Sequence, residues 1–288
     1  MMKKILITGV NSYIGRNLKA WLEKEPNKYC VDLVSVKDDA WKRKAFKEFD
    51  VLFHVAGIVH IKETKKNRDL FYKVNRDLTY EIAKKAKVEG VKQFIFMSSM
   101  SVYGIENGVI NEKTALNPKS NYGKSKLEAE MLIRSLEDEA FKIAILRPPM
   151  IYGKGCRGNY SRLAKLAVKV PIFPDVDNKR SMIYIENFCE FVRFLIDNCS
   201  SGVFFPQNTE YVKTSELVAM IAEAHGKRIK LTKLFDPFLR LFNVSIISKM
   251  FGDLVYDKQM SFKFIELDIN RNGYRVVSFK ESIKRTEK

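Results

Sequence analysis

Tyr122 and Lys126 stand four residues apart in the stretch NYGKSKLEAE. On one helix they share a face, one turn apart. The pair suits proton transfer. A tyrosine phenol titrates near about pH 10 in isolation and is a poor base at neutral pH. A lysine ammonium one turn away favours the phenolate and lowers that value. The spacing Y-x-x-x-K also arises by chance, on any amphipathic helix with two solvated residues. The elements that surround the pair therefore decide what it means.

Residues 3–8 are apolar and β-prone. The opening MMKKILITGV places basic residues before apolar ones, but the apolar run is short and passes into NSYIG, so it reads as a buried strand rather than a signal segment. Gly9 closes the strand, and Ile14, Leu18, Trp21 and Leu22 give a helical stripe. A strand, a glycine turn and a helix are the context a dinucleotide pyrophosphate needs, because the helix N-terminus offers free N–H groups and a positive dipole end. Here the turn reads Gly9, Ser12, Gly15, with serine in the middle place. A second strand covers 30–36. Ser35 stands at its end, where an acid would bind the adenosine ribose, and Lys37 follows. A hydroxyl and a cation suit a 2′-phosphate. Asp38 and Asp39 stand close enough to serve a bare ribose, so NAD and NADP both stay open.

A short helix over 41–48 leads to a third strand, DVLFHVAG, whose end at His54, Val55, Ala56 and Gly57 would lie over the adenosine side. The pattern Leu70, Val74, Leu78, Ile82, Ala86 predicts one long helix over 67–89, with Asn75 inside it. The fourth strand, QFIFMSS, ends at Ser98 and Ser99. The Asn, Gly and Pro residues of 105–120 read as loop. A helix over 121–139 carries Tyr122, and a fifth strand, KIAIL, ends at Arg147, Pro148 and Pro149. Short apolar strands alternating with helices predict an α/β fold with a doubly wound parallel sheet of Rossmann type. We place this domain at 1–150. A smaller α/β region at 151–288 follows, of which about 181–205 packs back on the sheet. In it a glycine-rich loop over 152–159 precedes a helix over 160–170. Arg180 precedes a strand at 181–185, and helices follow at 188–198 and 214–225. The stretch 234–255, rich in Phe, Leu and Ile, reads as a packed core or an active-site cover.

The chain has 288 residues, 46% of them hydrophobic, and no run approaches the roughly twenty apolar residues of a membrane span. Cys30, Cys156, Cys189 and Cys199 form no C-x-x-C pair, which fits a reducing cytoplasm and no structural zinc, and the three histidines are scattered. The net charge is +17, but the lysines are dispersed and mixed with acids, and no nucleic-acid motif accompanies them. An anionic small molecule fits better than a nucleic acid.

The motifs TGVNSYIG, HVAG, Asn75, SSMSVYG, NPKSNYGKSK, LRPPMIYGKG and RSMIYIEN follow one another in an order that resembles the extended short-chain dehydrogenase/reductases. The nearest group is the nucleotide-sugar epimerase/dehydratase branch, typified by UDP-glucose 4-epimerase. The resemblance covers almost the whole chain except the last stretch of residues. It implies a catalytic set of Ser99, Tyr122 and Lys126. Tyr122 would be the acid and base, Ser99 would hydrogen-bond the sugar oxygen and Tyr122, and Lys126 would bind the nicotinamide ribose and hold the tyrosine pKa down. Gly9, Ser12, Tyr13, Ile14 and Gly15 would cradle the pyrophosphate. Ser35, Lys37, Val55, Ala56, Gly57, Asn75 and Pro149 would complete the cofactor site. Tyr103, Asn159, Arg180 and Ser99 would meet a nucleotide sugar, with Arg180 on the diphosphate; no metal is implied. The resemblance also implies a cytoplasmic homodimer pairing the helices over 67–89 and 121–139.

Two departures bear on substrate and cofactor: Met150 stands where these epimerases carry asparagine, and Ser35 stands in place of the ribose acid. The implied activity is NAD-dependent C4 epimerisation of a UDP-hexose through a 4-keto sugar. Lys37 and Met150 favour the alternative, an NADPH-dependent reductase of a nucleotide 4-keto-6-deoxy sugar. A non-catalytic dinucleotide sensor is disfavoured by the intact Ser99, Tyr122 and Lys126.

Overall fold

The computed structural model describes residues 2–59, 61–234, 252–262 and 273–288. Most of the apolar stretch expected at 234–255 lies outside the described residues. The chain divides into two compact units. The first comprises Met1–Gly104, Ala115–Pro148 and Cys189–Pro206; the second comprises Ile105–Thr114, Pro149–Phe188 and Gln207–Lys288.

The first unit is built on a six-stranded sheet. Its strands are β1 (Lys3–Thr8), β2 (Tyr29–Val34), β3 (Val51–His54), β4 (Gln93–Met97), β6 (Lys142–Leu146) and β10 (Gly202–Phe204). They lie in the order β10-β6-β4-β3-β1-β2, every pair parallel. Strand residues alternate between faces. Leu6, Leu52, Phe94, Phe96, Ile143 and Ile145 enter one core, with Ile82, Ala83 and Ala86 of α4 (Leu78–Val88) and Ala129 and Ile133 of α5 (Asn121–Arg134). Ile5, Ile7, Phe53, Ile95 and Ala144 are equally buried on the other face. Such two-sided burial explains why these strands read as continuous apolar runs. The edge strand β2 instead alternates, exposing Cys30 and Asp32. The strand order reverses between β1 and β3, the switch point at which open α/β sheets bind ligands.

Three expectations about elements change. The helix expected over 41–48 is only α2 (Ala40–Arg43). Lys44 turns extended, and Phe46 and Phe49 then enter the core at 0% and 7% exposure. The long helix over 67–89 is α3 (Arg68–Tyr72), a single π-helical turn (Lys73–Asp77) and α4. The stretch over 105–120 contains β5 (Gly108–Ile110), which pairs in parallel with β12 (Leu254–Tyr256), a partner too distant in sequence to signal itself.

The second unit has two further parallel strand pairs, β7 (Met150–Tyr152) with β9 (Met182–Tyr184) and β8 (Ile172–Pro174) with β11 (Lys230–Thr232). Around them pack helices that include α6 (Asn159–Ala167), the helix Thr214–Ala224 and the C-terminal helix Phe279–Glu287. Tyr152 stacks on Tyr160 at 5.2 Å and bonds Ser282 Oγ at 2.5 Å, which ties the C-terminal helix to the unit's interior.

Candidate active site

Helix α1 (Tyr13–Leu22) starts where β1 ends. Ser12 caps it, its Oγ accepting from Gly15 N at 3.2 Å. The first N–H groups of a helix have no carbonyl partner within it, so the N-terminus of α1 is the end suited to an anion. Gly9 has φ +90°, a conformation that favours glycine, and a Cβ there would sit 3.4 Å from the Ala56 backbone. A Cβ on Gly15 would meet Ile7 at 3.0 Å and Val55 at 3.3 Å, so this glycine lets helix and strands close up. These are the features that a pyrophosphate cradle requires, and the residues fit one.

The loop after β3 is tied down from both sides. Thr8 Oγ1 accepts from Val55 N at 3.2 Å and from Ala56 N at 3.3 Å, and it meets His54 Nδ1 at 2.9 Å. Across the ring, His54 Nε2 meets Thr79 Oγ1 at 3.0 Å, and Thr79 Oγ1 donates to the Asn75 carbonyl at 2.9 Å. Because the Thr79 proton is committed to Asn75, His54 Nε2 carries the ring hydrogen and Nδ1 accepts from Thr8. Burial, and then the Lys126 charge, pull His54 from 6.5 down to about 3, so the ring is neutral.

Asn75 is fully buried in the π-helical turn. Its Oδ1 accepts from Ile58 N at 2.8 Å, and its Nδ2 donates to Ile58 O at 3.0 Å and to Ser125 Oγ at 3.2 Å. One amide thereby clamps the loop after β3 to α5. The widened turn lets an inward-facing asparagine reach both. A Cβ on Gly57 would meet Asn75 Oδ1 at 2.9 Å and Lys126 Nζ at 3.3 Å, so Gly57, Asn75 and Lys126 adjoin.

Helix α5 begins under two caps. Ser120 Oγ accepts from Gly123 N at 3.0 Å. The Glu63 carboxylate accepts from Asn121 N at 2.8 Å and Tyr122 N at 3.1 Å, a favourable charge at a helix N-terminus. A Cβ on Gly123 would meet Ser101 O at 2.6 Å, so only glycine lets α5 approach the turn that carries Ser99. That turn, Met100–Tyr103, is capped by Ser99, whose Oγ accepts from Ser101 N at 3.1 Å. Lys126 is buried and donates from Nζ to Met97 O at 2.8 Å, at the end of β4. Burial brings it down to about 7, against the charge of Glu130. Burial also pushes the Tyr122 phenol above its ordinary value, and a hydrogen bond with Ser99 works the other way. The expectation for this phenol is thus corrected: Lys126 points at the Met97 carbonyl, and Ser99 supplies the lowering contact.

A profile of the NAD dependent epimerase/dehydratase family matches residues 5–205. The chain belongs to that family. A UDP-glucose 4-epimerase of Vibrio cholerae is 31% identical over 292 residues, spanning 89% of this chain and 88% of the relative. Among solved structures, a UDP-glucuronic acid 4-epimerase from Bacillus cereus in complex with NAD superposes with a TM-score of 0.73 at 20% identity, covering 99% of this chain and 97% of that one. A dTDP-4-dehydrorhamnose reductase from Bacillus anthracis in complex with NADP gives a TM-score of 0.75 at 19% identity, covering 99% of each. The fold of this family member is therefore shared by epimerases and reductases alike.

The first unit brings together Gly9, Ser12, Tyr13, Ile14, Gly15, Val55, Ala56, Gly57, Asn75, Ser99, Tyr122 and Lys126 around the switch-point end of its sheet. Ser35 Oγ accepts from Lys37 N at 3.4 Å, and Lys37 is exposed. Lys37 lines an open depression with Asp38, Asp39, Tyr72 and Arg76, to which Ser99, Tyr122 and Lys126 do not contribute. Tyr103 is buried, and its hydroxyl accepts from Arg147 Nη1 at 3.0 Å. Pro149, Asn159 and Arg180 belong to the second unit. There Asn159 opens α6, and Arg180 Nη1 donates to Gly252 O at 2.9 Å. Sequence reasoning missed Glu63 and Glu130, and it placed His54 at the end of the third strand without seeing the clamp between Thr8 and Thr79. An acid inside the basic run IKETKKNR was the one signal for Glu63. Among the described residues no group of three or more His, Cys, Asp or Glu could hold a metal ion, and no helix is long and apolar enough to cross a membrane.

Proposed function

We propose that this enzyme of the NAD-dependent epimerase/dehydratase family epimerises a UDP-hexose at C4. The observation that carries the reading is the convergence of Ser99, Tyr122 and Lys126 on the end of β4, beside Gly57 and the α1 turn. The similarity to a UDP-glucose 4-epimerase over most of both chains supports the choice of reaction. NAD, held by the Gly9–Gly15 turn, the Val55–Gly57 loop and Lys126, supplies the hydride acceptor and donor when bound.

In this reading Tyr122 removes the proton of the sugar C4 hydroxyl and later returns it to the 4-keto sugar. Burial holds its phenol above the ordinary value, which suits the step that returns the proton; the step that removes it needs the phenolate, which the Ser99 hydrogen bond and the positive nicotinamide ring of bound NAD would favour. Ser99 orients that phenol and the sugar oxygen. Lys126, close to Gly57, holds the ribose of the cofactor. Arg180 pairs with the substrate diphosphate, as a guanidinium fork does well. A homodimer through α3, α4 and α5 accounts for the exposure of Leu70, Met131 and Leu132, at 44%, 59% and 39%.

A second reading, an NADPH-dependent reductase of a nucleotide 4-keto sugar, is favoured by one observation: Ser35 and the exposed Lys37 stand where a ribose-binding acid would otherwise be. One experiment separates the two. The purified protein is incubated with UDP-glucose and with UDP-N-acetylglucosamine, and the sugars are resolved by NMR. C4 epimers formed without added reductant support the epimerase. Absence of epimers, with NADPH consumed on a 4-keto nucleotide sugar, overturns it in favour of the reductase.

A further inference from the structure

Behind the Ser99 turn lies a buried ion pair. Glu130 of α5 and Arg147, at the end of β6, are 1% and 5% exposed. Arg147 donates from Nε to both Glu130 oxygens at 3.1 and 3.2 Å and from Nη2 to Oε2 at 2.6 Å. Two further contacts of the pair go to the two ends of one segment. Ser98, immediately before Ser99, donates its hydroxyl to Glu130 Oε1. Tyr103, which ends the Met100–Tyr103 turn, accepts from Arg147 Nη1 at 3.0 Å, with the guanidinium 5.3 Å from its ring centroid. One residue before Ser98, the Met97 carbonyl takes the Lys126 ammonium. Ser99 therefore sits between two struts that share one ion pair.

Stability alone does not call for this arrangement. Removing two charges from water is costly, and an apolar pair of similar volume is often as stable or more so. The carboxylate also has a specific neighbour: Glu130 stands four residues after Lys126, on the same face of α5. Burial favours a neutral Lys126, and the Glu130 charge opposes this. The other groups around Lys126 do not replace it: His54 on β3 is neutral, Tyr122 on α5 is a phenol pushed up by burial, and Arg147 is a cation.

We propose that Glu130 and Arg147 are positioning residues for the nucleotide-sugar chemistry. They hold both ends of the Ser99 turn, and Glu130 supplies the negative charge that keeps the Lys126 ammonium in place. This rests on the reading of Ser99, Tyr122 and Lys126 given above.

The first test needs no sugar. NAD affinity is measured by calorimetry across the neutral range for wild type, Glu130→Gln and Glu130→Asp. Gln keeps an acceptor for Ser98 and loses the charge; Asp keeps the charge. Wild-type affinity should fall as pH rises through about 7, where Lys126 loses its proton. Without the carboxylate the proton leaves more easily, so in Glu130→Gln the fall should move to lower pH by at least about half a unit, a factor of about three in affinity at the midpoint. Glu130→Asp should move less. A fall that stays put in Glu130→Gln overturns the charge role. The second test uses Ser98→Ala and Tyr103→Phe, each of which frees one end of the turn and leaves the ion pair. Each should lower kcat at least about tenfold with KM within about threefold. Wild-type kcat in both overturns the brace, and these two variants decide if Glu130→Gln does not fold. A wild type that turns over no nucleotide sugar refutes the proposed function, while the pH dependence of NAD binding still decides the role of Glu130.

Discussion

Acidification should weaken the first unit through one residue, His54. The ring is fully buried, and each nitrogen has a committed partner: Nε2–H donates to Thr79, and Nδ1 accepts from Thr8. A second ring proton would turn Nδ1 into a donor facing a hydroxyl oxygen that already accepts from Val55 N and Ala56 N. Folding therefore favours the neutral ring and lowers His54 from 6.5 to about 3. A depressed histidine contributes stability that is fully present above its unfolded value and is lost as pH falls towards the folded one. The window runs from 6.5 down to about 3. The gap of about 3.5 corresponds to about 5 kcal/mol in full, and about 2 kcal/mol of it should be lost between pH 7 and pH 5. Both tryptophans, Trp21 and Trp41, lie in the first unit, so their fluorescence during urea unfolding reports on it. Carboxylates also titrate in this range, so wild type is compared with His54→Gln, which lacks the ring proton. The wild type should lose about 2 kcal/mol more than the variant between the two pH values. A difference between the two proteins that stays constant from pH 7 to pH 5 would refute the buried neutral histidine.

Tyr122→Phe should keep the fold and lower turnover at least about a hundredfold, the low end for a general acid–base residue; near wild-type turnover in the purified variant would remove Tyr122 from the mechanism. Lys37→Glu should weaken NADPH at least about tenfold more than NADH, or about 1.4 kcal/mol, if Lys37 reads a 2′-phosphate; equal, small effects in titrations of both nucleotides would rule that out and favour NAD. Light scattering at micromolar concentration should give the mass of two chains, and a monomer throughout would contradict pairing through α3, α4 and α5.

Much of the first unit was legible in the sequence because its strands are buried on both faces. KKILIT, VLFH, QFIFM and KIAIL read as largely apolar runs, and the first three lead into glycine or serine, at Gly9, Gly57 and Ser98. The pyrophosphate cradle was legible for the same local reason: Gly9, Ser12 and Gly15 lie within one strand–turn–helix. What periodicity did not give were departures from regular geometry. The residues around Asn75 keep a helical pattern, yet the backbone widens by one residue per turn there so that the asparagine can clamp Ile58 and Ser125. The stretch 41–48 read as a helix, but tertiary burial pulls Phe46 and Phe49 in after α2 has ended. Strand β5 was invisible because three residues acquire strand geometry from a partner over a hundred positions away.

The supports of the site share a physical reason for having escaped notice. Tyr122 and Lys126 announce themselves by their spacing on one helix, and the resemblance adds Ser99 at the end of the fourth strand. His54, Glu63, Glu130 and Arg147 act through partners that are remote in sequence: Thr79, Tyr122, Ser98 and Tyr103. Each is a polar or charged group bound to the backbone or side chains that flank a site residue. A buried polar group is tolerated only when it is paired, and a buried pair constrains geometry more tightly than apolar contacts of the same volume. Their positions are not scattered. Glu63 fixes the N-terminus of α5 above Tyr122, Glu130 with Arg147 fixes both ends of the Ser99 turn, and His54 fixes the loop that ends beside Lys126. The cost of burying His54, Glu130 and Arg147 is offset, in the proposed reading, by the fixed relative positions of Ser99, Tyr122 and Lys126 on which the chemistry would depend.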